Sequence, residues 1–199
     1  MRRFVSGLVA AVAAAGVMTG TSALQGNAVT EKQQVVAAQS AAVKFVTRKF
    51  DYDSDFGYLS AAQLPSTWRM VVQQGWQVTR FLDPKVDQMV NISTAYSGHL
   101  TTAGAVAEKR KALKGTKGLK VLGAKTTTMK STAGMGRLTV STIVYTYTRG
   151  KTTRWVATRY IGLTGEDNAG VEVTVAGSPK NAKFLGTVLA KATTTLYTR

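Results

Sequence analysis

The stretch from Gly136 to Gly177 limits the fold more than any other part of the chain. It reads as three consecutive strands, Arg137–Thr148, Thr152–Ile161 and Val171–Val175, broken at Arg149-Gly150-Lys151 and at Gly165–Gly170 and closed by Gly177-Ser178-Pro179. Thr, Val, Ile and Tyr fill the runs and Gly stands at each break, the composition of an antiparallel meander. In the second run Trp155, Ala157, Arg159 and Ile161 share one side and Val156, Thr158 and Tyr160 the other. In the third, Val171, Val173 and Val175 alternate with Glu172 and Thr174, which predicts a half-buried strand. Ser178 can then cap a helix and Pro179 can open it. That helix carries a stripe of Phe184, Leu185, Val188, Leu189, Ala192 and Leu196, which needs a sheet to pack on. The Val, Trp and Ile positions of the meander are its expected floor. Arg154, Arg159, Tyr145 and Tyr147 remain for recognition.

The preceding chain supplies further elements. Thr30-Glu31-Lys32-Gln33 resembles a capping box, and Val35, Ala38, Ala42, Val43, Val46 and Phe50 follow at helical spacing, predicting a helix from Glu31 to about Lys49. Asp51, Asp53 and Asp55 alternate as in a calcium loop, but the sixth position is Phe56 and the twelfth Ala62 where such a loop needs Gly and Glu. A loop with capping and turn functions fits better. Strands are expected over Trp68–Val72, Gly75–Leu82 and Met89–Tyr96, the last with Val90, Ile92, Thr94 and Tyr96 on one side. Asn91-Ile92-Ser93 matches a glycosylation sequon. Thr101-Thr102 can cap a helix from Ala103 to Lys114, with Gly115 past its end, and Leu119–Met129 reads as another strand. The fold class is therefore α+β, an antiparallel sheet with flanking helices. The expected division is 1–28 as signal peptide or anchor, 29–64 as N-terminal helix and connecting segment, and 65–199 as the α+β domain.

Met1-Arg2-Arg3 precedes an uncharged run from Phe4 to Leu24, and the small residues Thr21-Ser22-Ala23 and Asn27-Ala28 offer cleavage sites after Ala23 or Ala28. The run is also long enough to span a bilayer, so residues 4–24 can serve as a membrane anchor if they are retained. Either way the bulk of the chain is expected outside the cytoplasm. With no Cys among 199 residues, disulfides and thiolate metal sites are excluded. Lys and Arg number 26 against 10 Asp and Glu, a formal charge of +16, and removal of Arg2 and Arg3 would leave +14. Such a field favours acidic proteins, anionic polymers or anionic lipid. Lys109, Arg110, Lys111 and Lys114, with Lys117 and Lys120, form the densest basic cluster. No aromatic residue interleaves with it, which argues against nucleic acid and for a solvated face complementing the helix dipole. Lys109, Arg110, Lys111, Lys114, Arg154 and Arg159 are the candidate contacts for a partner or an anion.

Catalytic chemistry finds no constellation. His99 is the sole histidine, no nucleophile elbow accompanies it, and HExxH, P-loop and dinucleotide glycine motifs are absent from the sequence. The expectation is a protein without enzymatic activity, cofactor or metal.

Gly75-Trp76-Gln77-Val78-Thr79-Arg80, the strand Val90–Ala95, the helix Ala103–Lys114, Gly136-Arg137 leading to Tyr145-Thr146-Tyr147, Arg154-Trp155-Val156 and Val171–Thr174 together resemble the PsbP-like fold. Within that group they are most similar to the actinobacterial type VII secretion-associated protein family. The resemblance spans about 130 residues as a pattern without one diagnostic motif. It implies an exported or membrane-tethered accessory protein of the cell envelope, without catalysis, whose partner is an envelope or secretion-system protein. That family often carries a Cys in its late strands, which Val171–Val175 lacks. The helix ending before Phe50-Asp51-Tyr52 resembles instead the Mce-associated proteins, with a cystatin-like α+β fold. The alternative function is a secreted basic module that binds an anionic polymer or a small apolar ligand, supported if Trp155, Tyr160 and Tyr145 line a pocket between sheet and helix.

Overall fold

Alternation rather than helical spacing governs the first described segment. The computed structural model describes residues 43–72, 77–96 and 98–199. The export segment and residues 31–42 of the expected helix lie outside the described residues. Phe45–Asp53 is a strand, β1, so the helix expected to reach Lys49 does not extend through these residues. β1 pairs antiparallel with β2, Gly57–Pro65, from Phe45 opposite Pro65 to Asp53 opposite Gly57. Val46 and Thr47 are β-branched, and the backbone bonds and core contacts of the hairpin outweigh a weak helical preference. Pro65 sits at the strand end, where its missing N–H costs nothing. Residues 45–65 are thus no connecting segment: Phe50, Ala62 and Leu64 enter the same core as the rest of the fold.

The remaining elements are β3 (Arg69–Val72), β4 (Val78–Leu82), β5 (Met89–Ser93), α1 (Thr102–Ala112), β6 (Lys120–Lys130), β7 (Arg137–Arg149), β8 (Thr152–Gly162), β9 (Val171–Gly177), α2 (Ala182–Thr194) and β10 (Tyr197–Thr198). β10 joins β2 in a three-stranded sheet, and the others form a seven-stranded antiparallel sheet in the order β3-β4-β5-β9-β8-β7-β6. The chain leaves β5 in mid-sheet and crosses through α1 to the far edge at β6. It then returns through the meander until β9 pairs with β5. Gly150 adopts φ 62 between Arg149 and Thr152, the left-handed conformation that a two-residue hairpin turn demands.

Helices cover both faces of this sheet. On one, Leu138, Val140, Ala157, Ile161, Val171, Val173 and Val175 meet Leu185, Val188, Leu189 and Ala192 of α2, together with Leu196 and the β1–β2 hairpin. Each buried Val, Leu or Ile among them contributes about 1.5–3 kcal/mol on burial. Trp155 is partly buried against this core. On the other face, Ala105 and Val106 of α1 meet Ile143, Tyr145, Val156, Tyr160 and Ala176. β9 is therefore covered on both sides, not half-buried as its alternation suggests: Thr174 is buried beneath the α1 layer. Ser178 accepts a hydrogen bond from the Lys180 amide as the expected cap, but it opens a turn of 3-10 helix at Pro179–Asn181, and α2 starts at Ala182. No helix among the described residues is long and apolar enough to cross a membrane.

Candidate functional site

Sheet register brings the polar residues of the α1 face together. Arg80 of β4 stands opposite Asn91 of β5, Asn91 opposite Thr174 of β9, and Thr174 opposite Thr158 of β8. In antiparallel pairs directly opposed residues share a face. Tyr147 of β7 likewise opposes Arg154 of β8. Beyond the end of α1, Leu113 and Thr116 stand over this surface and complete an open cavity of about 400 Å³. Its polar wall is Arg80, Arg149, Arg154, Tyr145, Tyr147 and Thr174, and its apolar wall is Met89, Leu113, Val156 and Ala176.

Three guanidiniums thus share the cavity with one nearby carboxylate. Arg154 donates from Nη1 to Oδ2 of Asp87, and Nη1 of Arg149 lies 3.6 Å from the same oxygen. The pair is asymmetric: the Arg154 side chain is 8% exposed and that of Asp87 is 74% exposed. Asp87 belongs to the β4–β5 turn, closed by the Asp83 amide donating to the Gln88 carbonyl. Gly177 lets that turn pass close, since a Cβ there would lie 2.9 Å from Cδ1 of Leu185 and 3.0 Å from Cγ of Gln88. Nε of Arg80 and Oδ1 of Asn91 are buried and make no hydrogen bond within the protein. Burial, then the neighbouring Tyr147 and Glu172, push the Tyr145 hydroxyl up to about 12, so it stays a neutral donor at ordinary pH.

A second polar group lies between α1 and the sheet. Glu172 accepts from the Thr174 hydroxyl at 2.9 Å, and Nζ of Lys109 lies 3.9 Å away. Burial raises the Tyr160 hydroxyl strongly, with further contributions from Glu172 and Tyr96. Burial and Glu172 also raise Tyr96, whose ring centroid lies 4.9 Å from that of Tyr160. These groups form one polar cluster centred on β8 and β9, to which α1 contributes Lys109.

The six candidate contacts fall in different places. Arg154 lines the cavity. Lys109 faces Glu172 and Lys111 pairs with Glu108, while Arg110 and Lys114 are exposed. The segment that carries Lys114 also supplies Leu113 and Thr116 to the cavity wall. Arg159 is on the opposite face, beside Thr142 and Val173, where burial lowers its pKa and Nε and Nη1 have no partner. Trp155 shares that opposite face, so Trp155, Tyr145 and Tyr160 do not line one pocket; Tyr145 lines the cavity with Tyr147 and the arginines instead. His99 is exposed ahead of α1 and is not part of the cavity wall.

The sequence reading missed Arg80, Arg149 and Asp87. Their shared face follows from pairing across four strands, and composition carries no signal of it. The aspartate cluster is structural. Asp51, at φ 56, accepts from the hydroxyls of Thr79 at 3.2 Å and Thr94 at 2.6 Å, and Asp53 accepts from the amides of Asp55 and Phe56 to shape the β1–β2 turn. Asn91 of the sequon lies in mid-sheet, paired on both sides, rather than in an open loop.

No protein-family model matches the chain, and no curated protein matches it in sequence. Among solved structures it is similar to PA94 of Pseudomonas aeruginosa, a protein of unknown function, at 15% identity and a TM-score of 0.47, over 78% of this chain and 97% of that one. It is also similar to LpqN, involved in cell envelope biogenesis of Mycobacterium tuberculosis, at 13% identity and a TM-score of 0.47, over 82% of this chain and 96% of that one. With identities this low and TM-scores below 0.5, neither likeness carries a function over.

Proposed function

We propose that this chain is a non-enzymatic exported or membrane-tethered protein of the bacterial cell envelope that binds an anionic ligand in the cavity beside α1. The observation that carries the reading is the presence of Arg80, Arg149 and Arg154 in one cavity wall, with Arg149 and Arg154 paired to one largely exposed carboxylate. Arg149 and Arg154 are held on the neighbouring strands β7 and β8, and Arg80 on β4; hydrogen bonds from guanidiniums to a charged oxyanion are strong. The basic end of α1 adds attraction at long range. The charged start and uncharged run from Phe4 to Leu24 support export.

The test is a thermal-shift screen of the full chain against phosphates, sulfates, carboxylates and anionic polysaccharides, repeated with Arg80→Met/Arg154→Ala. Stabilisation by one anion class, lost in the double variant, is the expected result. No response to any of them would overturn the reading.

A second reading, a secretion-associated accessory protein acting through protein contacts, is favoured by β6. This 11-residue edge strand is exposed along almost all of its length, with Val121 and Leu122 uncovered. An open edge can pair with a partner's strand. The resemblance to the type VII secretion-associated family supports that place for the chain. A pull-down from the source envelope that loses its partner when Thr127 on this edge is replaced by Pro is the corresponding test.

A further inference from the structure

Resting on the anion-binding reading above, we propose that the cavity takes a phosphate-type dianion attached to an apolar body, and that Asp87 is a resident carboxylate which this ligand displaces. Three arginines against Asp87 leave two positive charges in the cavity before any ligand arrives. A dianion complements that excess better than a single carboxylate does. Asp87 accepts from Nη1 of Arg154 and lies 3.6 Å from Nη1 of Arg149, so a ligand that takes those two donors must take its place. The carboxylate can leave readily: its side chain is 74% exposed on a surface turn and rehydrates when it swings out. Arg154, 8% exposed, keeps its position in the wall and needs an anion there in either state.

Arg80 lines the same cavity and forms no salt bridge to Asp87, so its guanidinium adds a positive charge that Asp87 does not neutralise. The same cavity offers Met89, Leu113, Val156 and Ala176 on its other wall. A bare inorganic ion would leave those four groups wet, whereas an ester with an apolar substituent covers them. The Tyr145 and Tyr147 rings, with centroids 6.3 Å apart and tilted by 35°, flank the arginines and suit a flat or aliphatic substituent.

The experiment is calorimetric titration of the full chain at pH 8 with phenyl phosphate, inorganic phosphate and benzoate, beside co-sedimentation with phosphatidylcholine vesicles with and without phosphatidic acid. Wild type, Asp87→Asn, Asp87→Ser and Arg80→Met are compared, each after a melting curve confirms folding. Phenyl phosphate should bind more tightly than either other small anion. Both Asp87 variants should tighten it by about fivefold to tenfold and Arg80→Met should weaken it by about tenfold, the scale of one charge-assisted hydrogen bond. Binding of phenyl phosphate alone identifies a soluble ester as the source, and added recruitment to phosphatidic acid identifies a lipid head group; both support the chemistry. Benzoate binding as tightly as phenyl phosphate overturns the dianion. Unchanged or weaker binding in both Asp87 variants overturns the displacement while anion binding stands. Failure of every anion to bind any of the four proteins sinks the underlying reading as well.

Discussion

The two faces of the seven-stranded sheet come from alternate residues of the same strands, yet they serve different ends. Beneath α2 the strands present Val140, Ile161, Val171, Val173 and Val175, all fully buried in a continuous apolar layer. Beneath α1, alternate positions of the same strands present Tyr145, Tyr160, Thr158, Thr174 and Arg154, and the layer opens into a cavity. The dry face gains stability from close packing, where any missing volume is felt. The α1 face keeps polar groups that need partners, and two of its arginines share one carboxylate, Asp87. A sheet with this division can change its ligand chemistry on one side without disturbing what holds the molecule together on the other.

The largest effect should come from the dry face. Ile161→Ala leaves a cavity under α2 and should lower unfolding free energy by about 2–5 kcal/mol, read from denaturant midpoints. A loss below about 1 kcal/mol would show that this face is not the tightly packed one. Next in size is Asp51→Ala, which strands the Thr79 hydroxyl, removes the shorter of the two Thr94 hydroxyl contacts and puts Ala at a left-handed backbone position. About 2 kcal/mol is expected by the same measurement, from lost hydrogen bonds and strain.

The α1 face should answer to pH. The folded Tyr145 hydroxyl is raised to about 12 from an ordinary value of 10.0, so its neutral form is the one that folding favours. The stability it contributes is complete below pH 10 and is lost as pH climbs from there toward 12. Tyr145→Phe should remove this part of the alkaline fall in midpoint, and an unaltered alkaline profile in the variant would contradict the assignment. The smallest structural effect is expected for Arg154→Ala. Its partner Asp87 is mostly hydrated already, so stability should shift by about 1 kcal/mol or less while anion binding is lost. Unfolding of this variant would mean that the two faces are not separable as described.

From β3 to α2, the strands, the helices and the class of the fold were written in local pattern. Thr-rich runs broken by Gly gave the meander, the Leu185–Ala192 stripe gave α2, and Thr101 with the following residues gave α1, because side-chain period and capping are set within a few neighbours. The segment Phe45–Lys49 carries helical spacing yet is a strand for the complementary reason: what decides it is β2, whose pairing lies up to 20 residues along the chain at Phe45 and Pro65. The cavity was harder still to read. Arg154 stood out as a basic residue in a strand, but its company of Arg80, Arg149 and Asp87 depends on strand order and on how the Asp83–Gln88 turn packs over Gly177. The sequence by itself determined the strands and helices from β3 to α2 and that the chain is strongly basic. Only the tertiary structure decided which face each charge occupies, because an odd or even register step sends a side chain to one side of a sheet or the other.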